Sequence, residues 1–178
     1  MSLRDLPFRA LGGQPAFEPA ALERFVAKPR IGVLAYVKRD GTPCQVPIWY
    51  AYENGTFLMV TSATSPKAKA LARDPRVSLT IQDEMPPYRA VMIDGAVTIA
   101  STPLERGPAS GLATRYFGKL AGREYERMTA EEFRRTGLVL ITMTPQSVRG
   151  FDNTRLIGAP LRLYMRLRER LPIPRDWL

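Results

Sequence analysis

Polar chemistry concentrates in one short stretch of this chain, Val60-Thr-Ser-Ala-Thr-Ser-Pro-Lys-Ala-Lys69. Four hydroxyls, on Thr61, Ser62, Thr64 and Ser65, are followed by the ammonium groups of Lys67 and Lys69. Ser65-Pro66 has the form of an N-cap with proline at the first helical position, so both lysines fall at the start of a helix. A helix N-terminus carries unpaired N–H groups and the positive end of the macrodipole. Hydroxyls and cations gathered around such a terminus suit a phosphate group. The same residues also make an ordinary capped surface helix with solvated lysines, and the motif alone does not decide between the two.

Other chemistries are excluded by what the sequence lacks. There is no histidine among the 178 residues. Ser-His-Asp and Cys-His nucleophiles, histidine-ligated haem and the common zinc sites are therefore ruled out, and no metal site is expected. No acid–base pair of a hydrolase stands out either. The single cysteine, Cys44, cannot close an intrachain disulfide and reads as a small strand residue, in keeping with a reducing compartment.

The net charge of +9 points toward anionic partners in general. Its distribution argues against nucleic acid. Six arginines face only Glu169 and Asp176 from residue 155 onward, and the body before them holds 20 basic against 15 acidic side chains with no aromatic-interleaved basic stripe. Prolines and glycines (Pro7, Gly12, Gly13, Pro15) interrupt the start before a leader could form, and the longest uncharged apolar run, Gly137 to Pro145, is far short of a bilayer span. A soluble, cytoplasmic chain with no membrane partner is expected.

The elements that would position the cluster follow from turn residues and periodicity. Leu22, Phe25 and Val26 at helical spacing predict a short helix after Pro19. A strand over 31–38 leads through Asp40-Gly41 into a second over 42–52, and Asn54-Gly55 turns that into a third over 56–61. The lysine-bearing helix then stops at Asp74-Pro75. Strands over 76–82 and 88–100 follow, the latter with Gly95 placed for a bulge. Residues 108–135 read as two helical segments broken at Tyr116-Phe117-Gly118. A sixth strand over 137–144 comes last, with 146–151 extending it or pairing beside it. Two-residue turns require antiparallel neighbours, so the expectation is a mainly β, six-stranded antiparallel barrel with flanking helices. One domain over 1–154 is expected to carry a basic helical tail, 155–178, packed on the same domain or on a partner.

Several ordered segments resemble the pyridoxamine 5′-phosphate oxidase-like, FMN-binding split-barrel family. They are Asp40-Gly-Thr-Pro-Cys-Gln-Val-Pro-Ile-Trp49, Asn54 to Thr61, Ser65 to Val77 and Val91 to Val97, with Arg115-Tyr-Phe-Gly118 and Leu138 to Pro145 downstream. The resemblance implies a split barrel, a homodimer with cofactor sites at the subunit interface, and FMN as cofactor, with the deazaflavin F-420 as the alternative. By position, Val46, Pro47, Ile48 and Trp49 would lie along the cofactor ring. Thr61, Ser62, Ser65 and Lys67 would hold its ribityl chain and phosphate with Lys69 nearby, and Tyr88 and Arg89 would approach from the neighbouring subunit. Many relatives carry arginine where this chain has Ser65 or Pro66, and asparagine where it has Ala70. The implied activity is oxidation or reduction of a small molecule by hydride transfer. A flavin-binding or sensor protein without turnover is the reading from another class. For Trp49 a core or interface role stands beside the cofactor contact.

Overall fold

The computed structural model describes residues 2–103, 111–161, 163 and 164. Alternation of inward and outward residues runs through its strands. In β5 (Thr56–Ser62), Phe57, Met59 and Thr61 point inward, and in β6 (Arg76–Gln82) so do Val77, Leu79 and Ile81. Period-two burial of this kind gives a sheet one apolar face, which must be covered or curled upon itself. The sheet curls. Among the described residues it has eight strands, and seven of them lie in the order β3-β2-β6-β7-β8-β5-β4.

The ranges of the others are β1 (Phe8–Ala10), β2 (Gly32–Val37), β3 (Pro43–Ile48), β4 (Ala51–Glu53), β7 (Arg89–Ser101) and β8 (Leu138–Asp152). All pairs are antiparallel except β1, which runs parallel to the end of β8. The two edge strands, β3 and β4, are consecutive in the chain and separated only by Trp49 and Tyr50. The sheet therefore bends until its edges meet at a covalent link, without a ladder of hydrogen bonds across the gap. This seam makes the barrel a split one.

Two features let the sheet close so tightly. Gly95 of β7 sits opposite Pro145 of β8 at a shift in register, and a Cβ on Gly95 would lie 2.3 Å from the Thr144 carbonyl oxygen. Proline lacks the ladder N–H, and the bulge is where a sheet tolerates that loss. The β8 strand thus runs on through Pro145, pairing β5 along its first half and β1 near its end. At Gly150 a Cβ would lie 2.1 Å from the Ala90 carbonyl oxygen, so only glycine permits the second close approach.

The interior is filled by Leu34, Phe57, Met59, Leu79, Ile81, Ile93, Ile141 and Met143, all fully buried. Helix α1 (Pro19–Ala27) adds Leu22, Phe25 and Val26, and Leu3 from the N-terminal segment joins them. The β4–β5 hairpin follows its turn residues, whereas β2 and β3 are joined by the wider loop 38–42, with the Lys38 amide donating to the Thr42 carbonyl at 2.9 Å, instead of the expected two-residue turn at Asp40-Gly41. Asn54 and Gly55 both have positive φ, 50° and 81°, the backbone that joins β4 to β5 in a two-residue turn.

Six strands were expected and eight are present among the described residues. The span 42–52 is divided at Trp49–Tyr50 into β3 and β4, and Phe8–Ala10 adds a short strand that has no turn signature of its own. Helices α2 (Pro66–Arg73), α3 (Leu112–Phe117) and α4 (Lys119–Thr136) complete the fold, α3 and α4 being separated by Gly118 at φ +79°. In the tail, 159–161 and 163–164 are helical and exposed, and the rest of the expected tail helix lies outside the described residues. None of the described helices is long and apolar enough to cross a membrane.

Candidate functional site at the barrel seam

The break between β3 and β4 frees the backbone of Tyr50, and a residue far along the chain occupies it. The Tyr116 hydroxyl accepts a hydrogen bond from the Tyr50 amide at 3.0 Å and donates to the Arg30 carbonyl at 2.7 Å. Burial raises the Tyr116 pKa, so the phenol remains a donor at neutral pH. Beside it the Trp49 indole stacks on the Tyr116 ring at 5.0 Å between centroids, 13° from parallel. Phe117 meets Trp49 edge-on at 5.1 Å, and Tyr125 lies against it at 5.2 Å. Stacked and edge-to-face pairs of this geometry each contribute about 0.5–1.5 kcal/mol beyond their buried area. Trp49 is both a packing residue and a wall of the site.

That wall borders a cavity of about 270 Å³. Pro47, Ile48 and Trp49 line it from β3 and the seam, Val60 from β5, and Lys67 from the first turn of α2. The opposite wall comes from α3 and α4, through Leu112, Tyr125, Glu126, Thr129 and Phe133. Tyr125, Thr129 and Phe133 recur every four residues and so share one helix face. That spacing was the available signal for these residues, which the motifs near residue 65 do not reveal. Burial pulls the Lys67 ammonium below its ordinary pKa, because the charged form loses water without gaining a partner. Lys67 makes no ion pair with any described residue.

The hydroxyl cluster has its own organisation. Thr61 is buried at the end of the inward row of β5, and its hydroxyl donates to Ser65 Oγ at 3.2 Å. Ser65 Oγ in turn accepts from the Ala68 amide at 3.2 Å, which makes Ser65 the N-cap of α2. Ser62 and Thr64 hydroxyls face each other at 2.9 Å. These groups adjoin the cavity through their neighbours Val60 and Lys67 and do not themselves line it; neither does Val46, half-buried earlier on β3. Two residues along α2 from Lys67, Lys69 lines a different depression.

Tyr88 and Arg89 lie where β7 begins, away from this cavity lining. The Arg89 side chain is engaged within its own chain, donating from Nε to Asp83 at 2.5 Å, while Arg30 pairs with the same carboxylate at 2.9 Å. Both guanidinium groups lie over the Phe25 ring, at 4.0 Å for Arg30 and 5.0 Å for Arg89. The Tyr88 side chain is exposed.

An eight-stranded open sheet closed by a seam, with an apolar slot and a helix-borne lysine at that seam, defines a split barrel. The chain belongs to the pyridoxamine 5′-phosphate oxidase family, which it matches over residues 19–152. Among solved structures, a conserved hypothetical protein, Rv2991, from Mycobacterium tuberculosis is 29% identical, with 83% of this chain and 96% of that one covered at a TM-score of 0.66. A protein named F420 Reductase is 24% identical over 71% of this chain and 94% of its own, with a TM-score of 0.59. A FAD-binding protein from Mesorhizobium loti is 18% identical over 74% and 90%, with a TM-score of 0.50. No curated protein matches the chain at a significant level.

Proposed function

We propose that this protein is an oxidoreductase that holds a flavin-type cofactor at the barrel seam and passes hydride between it and a small molecule. The observation that carries this reading is the convergence of Pro47, Ile48, Trp49 and Lys67 on one cavity. The residues present fit such a group. A half-buried ammonium with no ion-pair partner among the described residues stands at a capped helix N-terminus, where a phosphate gains both charge and N–H donors. The apolar side chains of β3 and Val60 supply a dry wall for a planar ring.

When bound, a flavin supplies the redox chemistry itself, which leaves binding, orientation and exclusion of water to the protein. Lys67 and the α2 N-terminus would hold the phosphate. Pro47, Ile48 and Trp49 would fix the plane of the ring. The α4 face bearing Tyr125, Thr129 and Phe133 would shield the reacting edge from solvent, with Glu126 offering a carboxylate to the substrate.

FMN is the preferred cofactor. The deazaflavin F-420 is the second reading, since one of the similar structures is named F420 Reductase and another a FAD-binding protein. The absorbance spectrum and mass of any copurifying small molecule, followed by titration with FMN and with the deazaflavin, test both. Saturable binding of one of them with quenching of Trp49 fluorescence is the expected result. Failure of both to bind sinks the proposal. Binding without reduction or reoxidation by any small-molecule panel turns it into the non-catalytic, sensor-type reading.

A further inference from the structure

Residues two apart on a helix face nearly opposite directions, so Lys69 looks away from the seam that Lys67 borders. It opens onto a second depression, of about 670 Å³, between α2 and the β2–β3 hairpin. Lys38, Arg39, Lys69 and Arg73 all line it, with Tyr36 beneath them and no acidic residue in the lining. Lys38 and Arg39 stand on the hairpin turn, held by the bond from the Lys38 amide to the Thr42 carbonyl at 2.9 Å and by Gly41 at φ +84°. Arg73 is positioned from the other side, donating from Nη2 to the Val37 carbonyl at 3.1 Å. Four cations on two anchored elements keep the local potential positive, only partly offset by Asp40 beside Lys38 and Asp74 beside Arg73.

We propose that this depression binds a compact anion carrying two or more phosphate groups. A single negative charge would leave most of the repulsion in place, and a diphosphate is long enough to meet both the hairpin and the helix. A nucleic acid fits less well. Each arginine is followed in sequence by a carboxylate that is already engaged: Asp40 accepts from the Thr42 amide at 2.9 Å, and Asp74 pairs with Arg76 at 2.7 Å. Asp40, which has no ion-pair partner among the described residues, interrupts the basic surface at the hairpin end, so an extended polyanion leaving the depression there would meet a carboxylate. Tyr36 does not add a charge of its own. Its hydrogen bond with Cys44 and its burial push its pKa up to about 12, which keeps the phenol neutral.

Isothermal titration of the full chain with inorganic pyrophosphate at low ionic strength tests the site independently of any cofactor. Because Lys67 offers a phosphate position of its own at the seam, the expected result is saturable binding of one pyrophosphate per chain that persists in K67A and weakens as salt rises. Lys38 and Lys69 are both exposed, so the double variant K38A/K69A should melt as the parent does and bind about 30-fold or more weakly, two charge-assisted hydrogen bonds being lost. R39A, at the turn, should weaken binding in the same direction, and K67A should leave it within about twofold. Three results overturn the proposal: no saturable binding at millimolar pyrophosphate, binding unaffected by K38A/K69A, or binding abolished by K67A, which would place the anion at the seam. Affinity for duplex DNA that exceeds that for pyrophosphate and grows with duplex length would also overturn it, in favour of a nucleic-acid surface.

Discussion

Lys67 is the residue on which the seam reading turns, because it is the cation of that cavity and desolvation acts on it without relief from a carboxylate. Replacing it with alanine should weaken binding of a phosphate-bearing cofactor by about 1.5–3 kcal/mol, the range of a charge-assisted hydrogen bond. Titration of cofactor fluorescence checks this, and an unchanged dissociation constant would leave Lys67 as a helix residue only. The pH dependence has a definite sign. Burial lowers the pKa of the free protein's Lys67 below the ordinary 10.5, whereas a bound phosphate favours the ammonium. Affinity is therefore fully present at neutral pH and falls as pH rises through that lowered value, earlier than an ordinary lysine would allow. In K67R the guanidinium does not titrate in this range, so the alkaline loss should disappear. For folding the sign reverses: the unfolded chain holds this proton more tightly, so the lysine's contribution to stability improves with pH across the same window.

At the scale of elements, the wall formed by α3 and α4 depends on one close contact. Gly122 is the only described residue of α4 that is buried, and a Cβ there would lie 2.5 Å from Thr114 Cα and 2.6 Å from its amide nitrogen. Backbone cannot yield as a flexible side chain can, so G122A must push the helices apart. A cost of about 1–3 kcal/mol is expected, as for other overpacked sites. Its signature is specific: a lower melting temperature together with changed Trp49 fluorescence, since Tyr125 and Phe117 on these helices contact the indole. A variant that melts normally with unaltered fluorescence would show that the wall does not depend on this contact. The same contrast explains what could be read from sequence. Asn54-Gly55, Asp40-Gly41 and Ser65-Pro66 are local devices, and they locate β2, the start of β3, β5 and the start of α2 closely. The seam is not local. Nothing in Trp49-Tyr50 marks a strand break, because the group that replaces the missing ladder bonds is the Tyr116 hydroxyl, brought from 66 residues away. For the same reason Pro47, Ile48, Trp49 and Lys67 could be proposed from their own segments, whereas Glu126, Thr129 and Phe133 become site residues only once α4 is laid over the seam.

At the scale of the whole molecule, large apolar side chains are exposed on the α3–α4 pair. Leu120 and Met128 on α4 are 86% and 75% exposed, and Phe117 on α3 is 48% exposed, so the α3–α4 pair presents several large apolar groups to solvent. Scattered exposed leucines are normal, but several on one helix pair beside a binding cavity suggest an interface. We propose that a second copy of the chain covers this face, in a two-fold arrangement that presents the same patch twice and brings each exposed Tyr88 toward the other copy's seam. The basic tail is the rival cover, since Leu161 and Tyr164 are also exposed where it begins. Two variants separate them. L120E/M128E places charges in the patch, and truncation after Asn153 removes the tail. If the second copy covers α4, light scattering at micromolar concentration should give about 40 kDa for the parent, twice the 20.0 kDa chain, and one chain mass for L120E/M128E, with truncation leaving the dimer intact. If the tail is the cover, truncation should lower the melting temperature of a monomer and expose the same leucine and methionine to a hydrophobic dye. A parent that stays monomeric while binding cofactor at full affinity would defeat the shared-site arrangement, because Tyr88 would then have no second seam to reach.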